Sequence, residues 1–278
     1  MSAVARLLPN AGRSSSRVVA LCYHSVDPHL RASVDPGLFR THVEWLHEHC
    51  TIVPFERLVA AASETQPATR PVVALTFDDG FADNFEHAFP ILASTNTPAT
   101  FFVTAGFVGG DPNVVERMRV LRRVGEVRAM SWDQIRDLRA AGFAIGSHTY
   151  SHANLAALSA TDATHEIQRA KEILEERLEA PVPLFAYPWG RPRRHFTAET
   201  SGLVARAGHT DAAAVLFRAV KPAENRLAVP RFFVSGEGIR TLEQKVRGSW
   251  DIVGHLQERL PRWLLAMAVD RVFGSELP

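Results

Sequence analysis

Short runs of apolar residues recur along the chain and alternate with stretches in which apolar residues return every three or four positions. The short runs are typical of buried strands, and the longer pattern predicts amphipathic helices. The predicted strands lie at residues 18–23, 72–77, 99–103, 143–145, 184–187, 212–216 and 227–233. The predicted helices lie at residues 39–49, 55–62, 85–94, 132–141, 163–179 and 200–207.

This alternation predicts an α/β fold, because strands separated by helices pair in parallel through right-handed crossovers. A chain of 278 residues is long enough to close seven such strands into one distorted (β/α) barrel. We expect a flexible N-terminal tail at residues 1–17, the barrel at residues 18–241 and an amphipathic helical tail at residues 242–278. On the predicted helix 163–179, Ile167 belongs to the apolar face and Glu166 to the solvent face.

Composition and charge narrow the classes of function. Hydrophobic residues make up 46% of the chain and charged residues 22%, as in an ordinary globular protein. The net charge of +1 gives no basic field of the kind that nucleic-acid binding needs, so we expect no nucleic-acid partner. Cys22 and Cys50 are too few for a disulfide framework.

The ends of the chain bear on where it acts. Residues 1–17 lack an apolar core of signal-peptide length, and no stretch approaches the roughly 20 apolar residues of a membrane span. We therefore expect a cytoplasmic protein, or one held at a membrane surface through the amphipathic tail at residues 242–278. Packing of this tail over one end of the barrel is the plainer alternative.

Two polar clusters follow predicted strands. Asp78 and Asp79 come after residues 72–77, and His148 and His152 come after residues 143–145. One carboxylate and two imidazoles are a ligand set for a catalytic zinc with an open position. Asp79, His148 and His152 are thus candidate ligands for Zn²⁺ first, with Co²⁺, Ni²⁺ or Fe²⁺ as alternatives. Asp78 then remains free as a general base.

Each cluster taken alone has a plainer explanation. Asp-Asp-Gly is often only a turn, and two histidines four positions apart often lie on a surface. The two clusters occur together, however, each directly after an apolar run. This joint occurrence favours a metal site.

Three blocks of residues resemble the polysaccharide deacetylases, the carbohydrate esterase family 4 with a NodB-type homology domain. The resemblance spans roughly residues 18–235 and is strongest at residues 76–80, 147–152 and 185–190. It implies a metal-dependent hydrolase that removes acetyl groups from N-acetylated sugars. It also implies Asp78 as the catalytic base and Asp79, His148 and His152 as the metal ligands.

The resemblance also implies roles near the third block. The backbone amide of Trp189 would help bind the oxyanion, and Tyr187, Pro188 and Trp189 would contact the substrate. The rings of Tyr187 and Trp189 are equally candidates for core packing. Many members carry an arginine at the position of Ala186 that holds the catalytic aspartate, and we take Arg231 as the candidate that replaces it.

Many members of the family also end in a strand that bears a general-acid histidine, and no late strand of this chain does so. The first apolar run, at residues 18–23, ends instead at His24. This order is similar to that of the circularly permuted exopolysaccharide deacetylases that act on poly-N-acetylglucosamine. We predict that His24 is the general acid, with a structural histidine at a strand end as the alternative.

The expected function is removal of N-acetyl groups from a polysaccharide, an oligosaccharide or a lipid-linked sugar precursor, in exopolysaccharide biosynthesis. One alternative keeps the site and changes the bond, to a carbohydrate O-acetyl ester or a non-sugar amide or imide. Another is a carbohydrate-binding protein whose catalytic site has decayed, which Ala186 suggests. Residues 106–130 either form a loop that shapes substrate access or a short surface helix whose arginines, Arg122 among them, are solvated.

Overall fold

The computed structural model describes residues 17–27, 29, 33–64, 68–123 and 126–254. Within these ranges, the strands are β1 (Val18–Tyr23), β2 (Thr51–Ile52), β3 (Val72–Phe77), β4 (Ala99–Val103), β5 (Ala144–Ser147), β6 (Leu184–Ala186), β7 (Asp211–Ala213) and β8 (Phe232–Phe233). In the same part of the chain, the α-helices are α1 (Pro36–His49), α2 (Leu58–Ala62), α3 (Phe89–Ser94), α4 (Ala105–Val108), α5 (Pro112–Arg122), α6 (Trp132–Ala140), α7 (Ala160–Leu178), α8 (Ala198–Arg206) and α9 (Ile239–Arg247).

Parallel pairing joins seven of these strands in the order β7-β6-β5-β4-β3-β1-β8, and the short β2 pairs with β3 beside this path. The segment before β8 connects the two ends of the path. Val229 pairs with Ala213 of β7, and Phe232 pairs with Leu21 of β1. The sheet therefore curls into a barrel, and the predicted α/β class with parallel strands is confirmed.

The two longest strands explain where the polar site lies. β1 and β3 run side by side from Val18↔Val72 to Tyr23↔Phe77, and all of their residues are buried. Alternate residues face opposite sides of a sheet. Every second residue of β1 and β3 packs against the helices. The residues between them, which include Val18 and Val72, pack in the barrel interior with Phe102. At the carboxyl ends of the strands, the residues that face the barrel interior are polar.

A close approach of two strands requires a glycine at position 146. A Cβ atom on Gly146 would lie 2.4 Å from Cδ1 of Phe102, a distance that real Cβ atoms essentially never show. Glycine at this position of β5 lets the ring of Phe102 fill the barrel interior.

Two predicted elements differ from the structure. Residues 227–233 do not form one strand, because the chain makes a 3₁₀ turn at Arg226–Ala228 and only Phe232–Phe233 pairs with β1. The predicted helix at residues 85–94 is α-helical only in α3, and Asn84–Ala88 form a π-helical turn before it. Pro90 follows directly and has no N–H to donate to the preceding turn, so the regular α pattern is interrupted there.

The predicted tail begins inside α9, whose Leu242 and Val246 are buried in the core cluster that also contains β1 and α1 residues. Trp250 packs against the same cluster. Residues 255–278, which make up most of the amphipathic pattern, lie outside the described residues, as do residues 1–16. Among the helices that the structure describes, none is long and apolar enough to cross a bilayer.

Candidate metal centre and catalytic site

The two adjacent carboxylates lie directly after β3, and both are buried. The strand ends at Phe77, and Asp79 takes a left-handed backbone conformation with φ of 78°. This turn redirects the chain, so that neighbouring side chains that would point apart in a strand both reach the barrel mouth. Backbone hydrogen bonds fix the turn: the Asp78 amide donates to the Tyr23 carbonyl at 3.0 Å, and the Thr104 amide donates to the Asp79 carbonyl at 3.1 Å.

The loop after β5 brings both histidines to the same place. Thr149 and His152 have φ values of 65° and 57°, so the loop coils tightly instead of continuing as a strand. Glu166 of α7 holds this loop, because its carboxylate accepts from the Ser151 amide at 2.8 Å and from the Ser151 hydroxyl at 2.7 Å. The prediction that Glu166 faces solvent is wrong: it is half-buried against the loop.

Asp79, His148 and His152 each place one donor atom within 4.8 Å of the other two. Oδ1 of Asp79 lies 3.5 Å from Nε2 of His148 and 3.2 Å from Nε2 of His152. Among the described residues, neither Asp79 Oδ1 nor His148 Nε2 has a hydrogen-bond partner. Buried polar atoms without partners are rare in proteins, and here they converge on one point.

The protonation of this cluster fits a divalent metal. Nδ1 of His148 lies 2.8 Å from the Ala186 carbonyl, which can only accept, so Nδ1 carries the proton and Nε2 presents its lone pair to Asp79. Burial lowers the pKa of His148 to about 4, which keeps the ring neutral at pH 7. Burial alone would raise the pKa of Asp79, but Arg122 and His152 outweigh it and hold the pKa well below its usual range. An ionised Asp79 beside a neutral His148 suits zinc, and His152 places a third donor atom in the same group.

The second carboxylate has a different partner. Arg231 binds Asp78 through two parallel contacts, from Nη1 to Oδ1 and from Nη2 to Oδ2, both at 2.7 Å. Nη1 also donates to the Thr76 hydroxyl at 2.9 Å. Arg231 is fully buried and comes from the segment that closes the barrel. Burial alone would raise the pKa of Asp78, but Arg231 outweighs it and lowers the pKa to about 2.

His24 lies at the end of β1, beside these groups, and is half-buried. The Asn84 side chain donates to the His24 carbonyl at 2.7 Å, and Asp83 accepts from the Ser25 hydroxyl at 2.8 Å and the Val26 amide at 2.7 Å. These contacts fix the backbone that directly follows the His24 side chain. Burial, together with nearby positive charge, lowers the pKa of His24 to about 3, so the ring is neutral at pH 7.

The third block forms the opposite wall of the site. Trp189 is half-buried with φ of 55°, and its ring meets that of His152 edge-on at 4.6 Å between centroids. Gly190 permits this turn, since a Cβ atom there would lie 2.7 Å from the Val215 amide nitrogen. The buried His195, which the sequence did not single out, accepts from the Arg191 amide through Nδ1 at 3.2 Å and so braces the turn.

Tyr187 does not lie where a sugar could stack on it. Its ring is fully buried and stacks on Phe196 with 3.8 Å between centroids, and its hydroxyl donates to the Leu227 carbonyl at 3.0 Å. The ring belongs to a core cluster, which is the alternative that the sequence analysis gave for Tyr187. Pro188, the next residue, is also buried.

Arg122 is a site residue whose contact the sequence did not predict. It is the last residue of α5, and its guanidinium reaches into the site, donates to Oδ2 of Asp79 and lies over the Phe81 ring at 4.9 Å. Its side chain is only 12% exposed, so this arginine is not solvated. Sequence spacing gave no signal for this contact, since Arg122 and Asp79 are 43 positions apart.

The chain is a parallel α/β barrel of the kind that carries its functional residues at the carboxyl ends of the strands. At these ends it holds two buried carboxylates with different partners. Residues 65–211 match the model of the family described as polysaccharide deacetylase, and this match covers more than half of the chain. The chain belongs to the polysaccharide deacetylase family.

Individual relatives agree with this assignment. The chain is 25% identical over 178 residues, or 63% of its length, to a putative polysaccharide deacetylase, YxkH, of Bacillus subtilis (strain 168). It is 21% identical over 229 residues to a poly-beta-1,6-N-acetyl-D-glucosamine N-deacetylase of Staphylococcus aureus (strain MRSA252), covering 79% of this chain and 72% of that protein. Against four curated relatives, YxkH first, the chain spans 58%, 30%, 37% and 36% of their lengths.

The structure of IcaB from Ammonifex degensii has a similar fold, with a TM-score of 0.70 at 24% identity. The similarity covers 85% of this chain and 98% of that one. The fold of nearly the whole described chain therefore has a solved counterpart.

Proposed function

We propose that the chain is a metal-dependent deacetylase that hydrolyses the acetamide of N-acetylglucosamine units in a polysaccharide, an oligosaccharide or a lipid-linked precursor. The observation that carries this proposal is the division between two adjacent carboxylates. Asp79 faces two imidazoles, whereas both oxygens of Asp78 are bound by Arg231. A site with one carboxylate for a cation and another for a proton suits hydrolysis. The name of the Staphylococcus aureus relative supports the choice of sugar.

Asp79, His148 and His152 are the residues that would hold the ion. When bound, Zn²⁺ or another first-row cation would supply a Lewis acid that polarises the acetyl carbonyl and makes water a stronger acid. The chain's own residues then have separate tasks. Asp78 accepts the proton of the attacking water, and the Trp189 amide donates a hydrogen bond to the developing oxyanion.

His24 delivers a proton to the departing nitrogen in this proposal. Because its ring is neutral at pH 7, the proton must reach it during the reaction. Donor atoms of Asp78 and His24 lie within 4.8 Å of each other, a separation that one bridging water can span for a proton relay. The proton that leaves water thus passes from Asp78 to His24 and on to the amine, and proton number balances over one turnover.

Acetate release from purified full-length chain tests the proposal. The substrates are β-1,6- and β-1,4-linked N-acetylglucosamine oligosaccharides, an O-acetylated oligosaccharide and a non-sugar acetamide, each assayed after chelation and after return of Zn²⁺, Co²⁺, Ni²⁺ or Fe²⁺. We expect release from N-acetylated sugars that stops on chelation and returns with metal. The His148→Ala chain should lose both bound metal and activity, and Asp78→Asn should lose activity alone.

Other outcomes would replace the proposal. Release from the O-acetylated sugar alone would indicate an esterase, and release from the non-sugar acetamide alone would indicate another amidase. Bound metal with no release from any substrate would indicate a carbohydrate-binding protein with a decayed site. Activity that survives full chelation would contradict metal dependence.

We also propose that the protein acts in the cytoplasm or at the surface of a membrane, with residues 255–278 as the contact. The amphipathic pattern of these residues supports this idea. Flotation with anionic liposomes, before and after deletion of residues 255–278, tests it and spares Leu242 and Val246, which belong to the core. Equal flotation of both chains, or none, would contradict a role for the tail.

A further inference from the structure

A second group of metal-type donors lies beside the first. Cys22, His24 and Asp78 each place one donor atom within 4.8 Å of the other two. The Cys22 sulfur lies 3.3 Å from Oδ2 of Asp78 and 4.0 Å from Nδ1 of His24. None of these three residues belongs to the Asp79, His148 and His152 group.

The chemistry and spacing of these donors suit a soft divalent cation. Thiolate, imidazole and carboxylate are the three side-chain donors of zinc. Bonds of about 2.0–2.3 Å in a tetrahedral arrangement separate neighbouring ligand atoms by roughly 3.3–3.8 Å. The Cys22 sulfur, at 3.3 Å from Asp78 and 4.0 Å from His24, needs only small shifts to meet this spacing. The pairing of β1 with β3 fixes Cys22 opposite Thr76, and the other two donors, His24 and Asp78, directly follow these two strands.

Arg231 does not block the group. Each carboxylate oxygen has two lone pairs, and Oδ2 of Asp78 accepts one N–H from Arg231 and one S–H from Cys22. A cation between Cys22 and Asp78 takes the place of the thiol proton. Binding therefore releases one proton to solvent and forms one metal–sulfur bond.

A metal that binds here must displace the Cys22 thiol proton from its contact with Asp78 at 3.3 Å. The nearby guanidinium of Arg231 also opposes a second cation. The group should therefore fill only after the Asp79, His148 and His152 site, at higher metal concentration.

We propose that Cys22, His24 and Asp78 form a second, weaker site for zinc or another thiophilic divalent cation, and that its occupancy inhibits hydrolysis. The inhibition rests on the proposed function, because the ion would occupy the general base and the general acid together. Binding at the second site does not depend on that function.

Titration of the metal-free full-length chain with Co²⁺ tests the site, because cobalt bound to thiolate gives a charge-transfer band in the near ultraviolet. We expect no such band during the first equivalent, and a band with release of about one proton per ion during the second. The Cys22→Ser chain should lose the band. Cys50→Ser is the matched control, since Cys50 is the other buried cysteine and should leave the band unchanged.

Acetate release measured at one and at two equivalents of Co²⁺ tests the inhibition. We expect the rate to fall at least severalfold in wild type and in Cys50→Ser, and the ratio of the two rates to stay near one in Cys22→Ser. If Cys22→Ser does not fold, loss of the band in His24→Ala serves instead.

The outcomes separate the two proposals. A band that is missing, that appears with the first equivalent or that disappears in Cys50→Ser overturns the second site. A rate that stays constant while the band grows overturns the inhibition. Absence of acetate release with a normal second-equivalent band overturns the deacetylase function and leaves the second site standing.

Discussion

The two ends of the barrel treat buried polar groups differently. At the carboxyl ends of the strands, Asp79 and His148 have atoms without hydrogen-bond partners in the described part of the chain, and Thr149, His152 and Trp189 adopt left-handed backbone conformations. Each such conformation costs on the order of 1–3 kcal/mol. Unpartnered atoms and left-handed backbone therefore occur together where the reaction would take place, whereas at the amino end His209 has buried ring nitrogens without hydrogen-bond partners among the described residues.

At the amino ends, the starts of β5, β6 and β7 line a cavity of about 440 Å³. Asp211, which borders it, is bound by Arg226 at 2.6 Å and by the Thr210 hydroxyl at 2.9 Å. Phe143 and Leu178 supply apolar walls. This end is built for packing and the other for chemistry, so substitutions should affect stability at one and turnover or metal binding at the other.

Substitution of His24 should separate the two ends most clearly. We expect His24→Ala to lower kcat by about 10²–10⁴-fold, the usual contribution of a general acid, with bound metal and the free energy of unfolding nearly unchanged. Acetate release, metal content and urea unfolding measure the three quantities. His47→Ala, an exposed histidine of α1, is the control. Near-normal kcat would mean that His24 only ends the strand.

At the carboxyl end, Arg231 should also contribute to the free energy of unfolding. We expect Arg231→Met to lower the free energy of unfolding by about 3–5 kcal/mol, because Asp78 would remain buried without its counter-ion. Arg128 forms a similar two-contact pair with Glu86 at 2.7 and 2.6 Å but is 62% exposed. Its substitution by methionine should lower stability by at most about 1 kcal/mol. Urea unfolding that gives equal losses would show that burial does not decide the difference.

At the amino end, His209 provides a test through the pH dependence of the free energy of unfolding. It is 4% exposed, and burial with Lys171 nearby lowers its pKa to about 4 from the ordinary 6.5. On acidification the unfolded chain binds this proton at a higher pH than the folded chain does. The contribution of His209 to the free energy of unfolding is therefore fully present above pH 6.5 and falls by about 3 kcal/mol as the pH falls towards 4. His209→Gln should remove this share of the slope in urea unfolding at several pH values. An unchanged slope would contradict it.

Arg122 should give the smallest effect, on metal affinity. Its guanidinium competes with a cation for the charge of Asp79, so Arg122→Ala should bind Zn²⁺ about five- to tenfold more tightly in competition with a chelator. Arg119→Ala is the control, because Arg119 lies on the same helix and pairs with the exposed Glu116. Weaker binding would show instead that Arg122 positions Asp79 for the metal.

Sequence alone predicted the parts of the fold that depend on local pattern. β1, β3 and β4 begin and end at the predicted residues, because strands buried on both faces are continuous apolar runs. The segment at 227–233 was predicted wrongly because Val229 and Phe232 pair with different strands, which only the closed sheet decides.

The site residues also divide into those that a local sequence pattern predicts and those that only the folded structure brings together. The adjacency of Asp78 and Asp79 and the spacing of His148 and His152 are visible in the chain, and the structure brings all four together. The contact of Arg231 with Asp78 spans 153 positions, and no local pattern encodes it. The catalytic and metal-binding roles of these residues remain predictions.

The segment that joins the two margins of the sheet also delivers Arg231. A nascent chain that ends before this segment would leave Asp78 buried without its counter-ion, so that its carboxyl group would stay protonated. Completion of the fold and ionisation of the reactive carboxyl group would therefore coincide, and partially assembled intermediates should have no hydrolytic competence. Hydrolytic activity should therefore appear only when the barrel is completely folded.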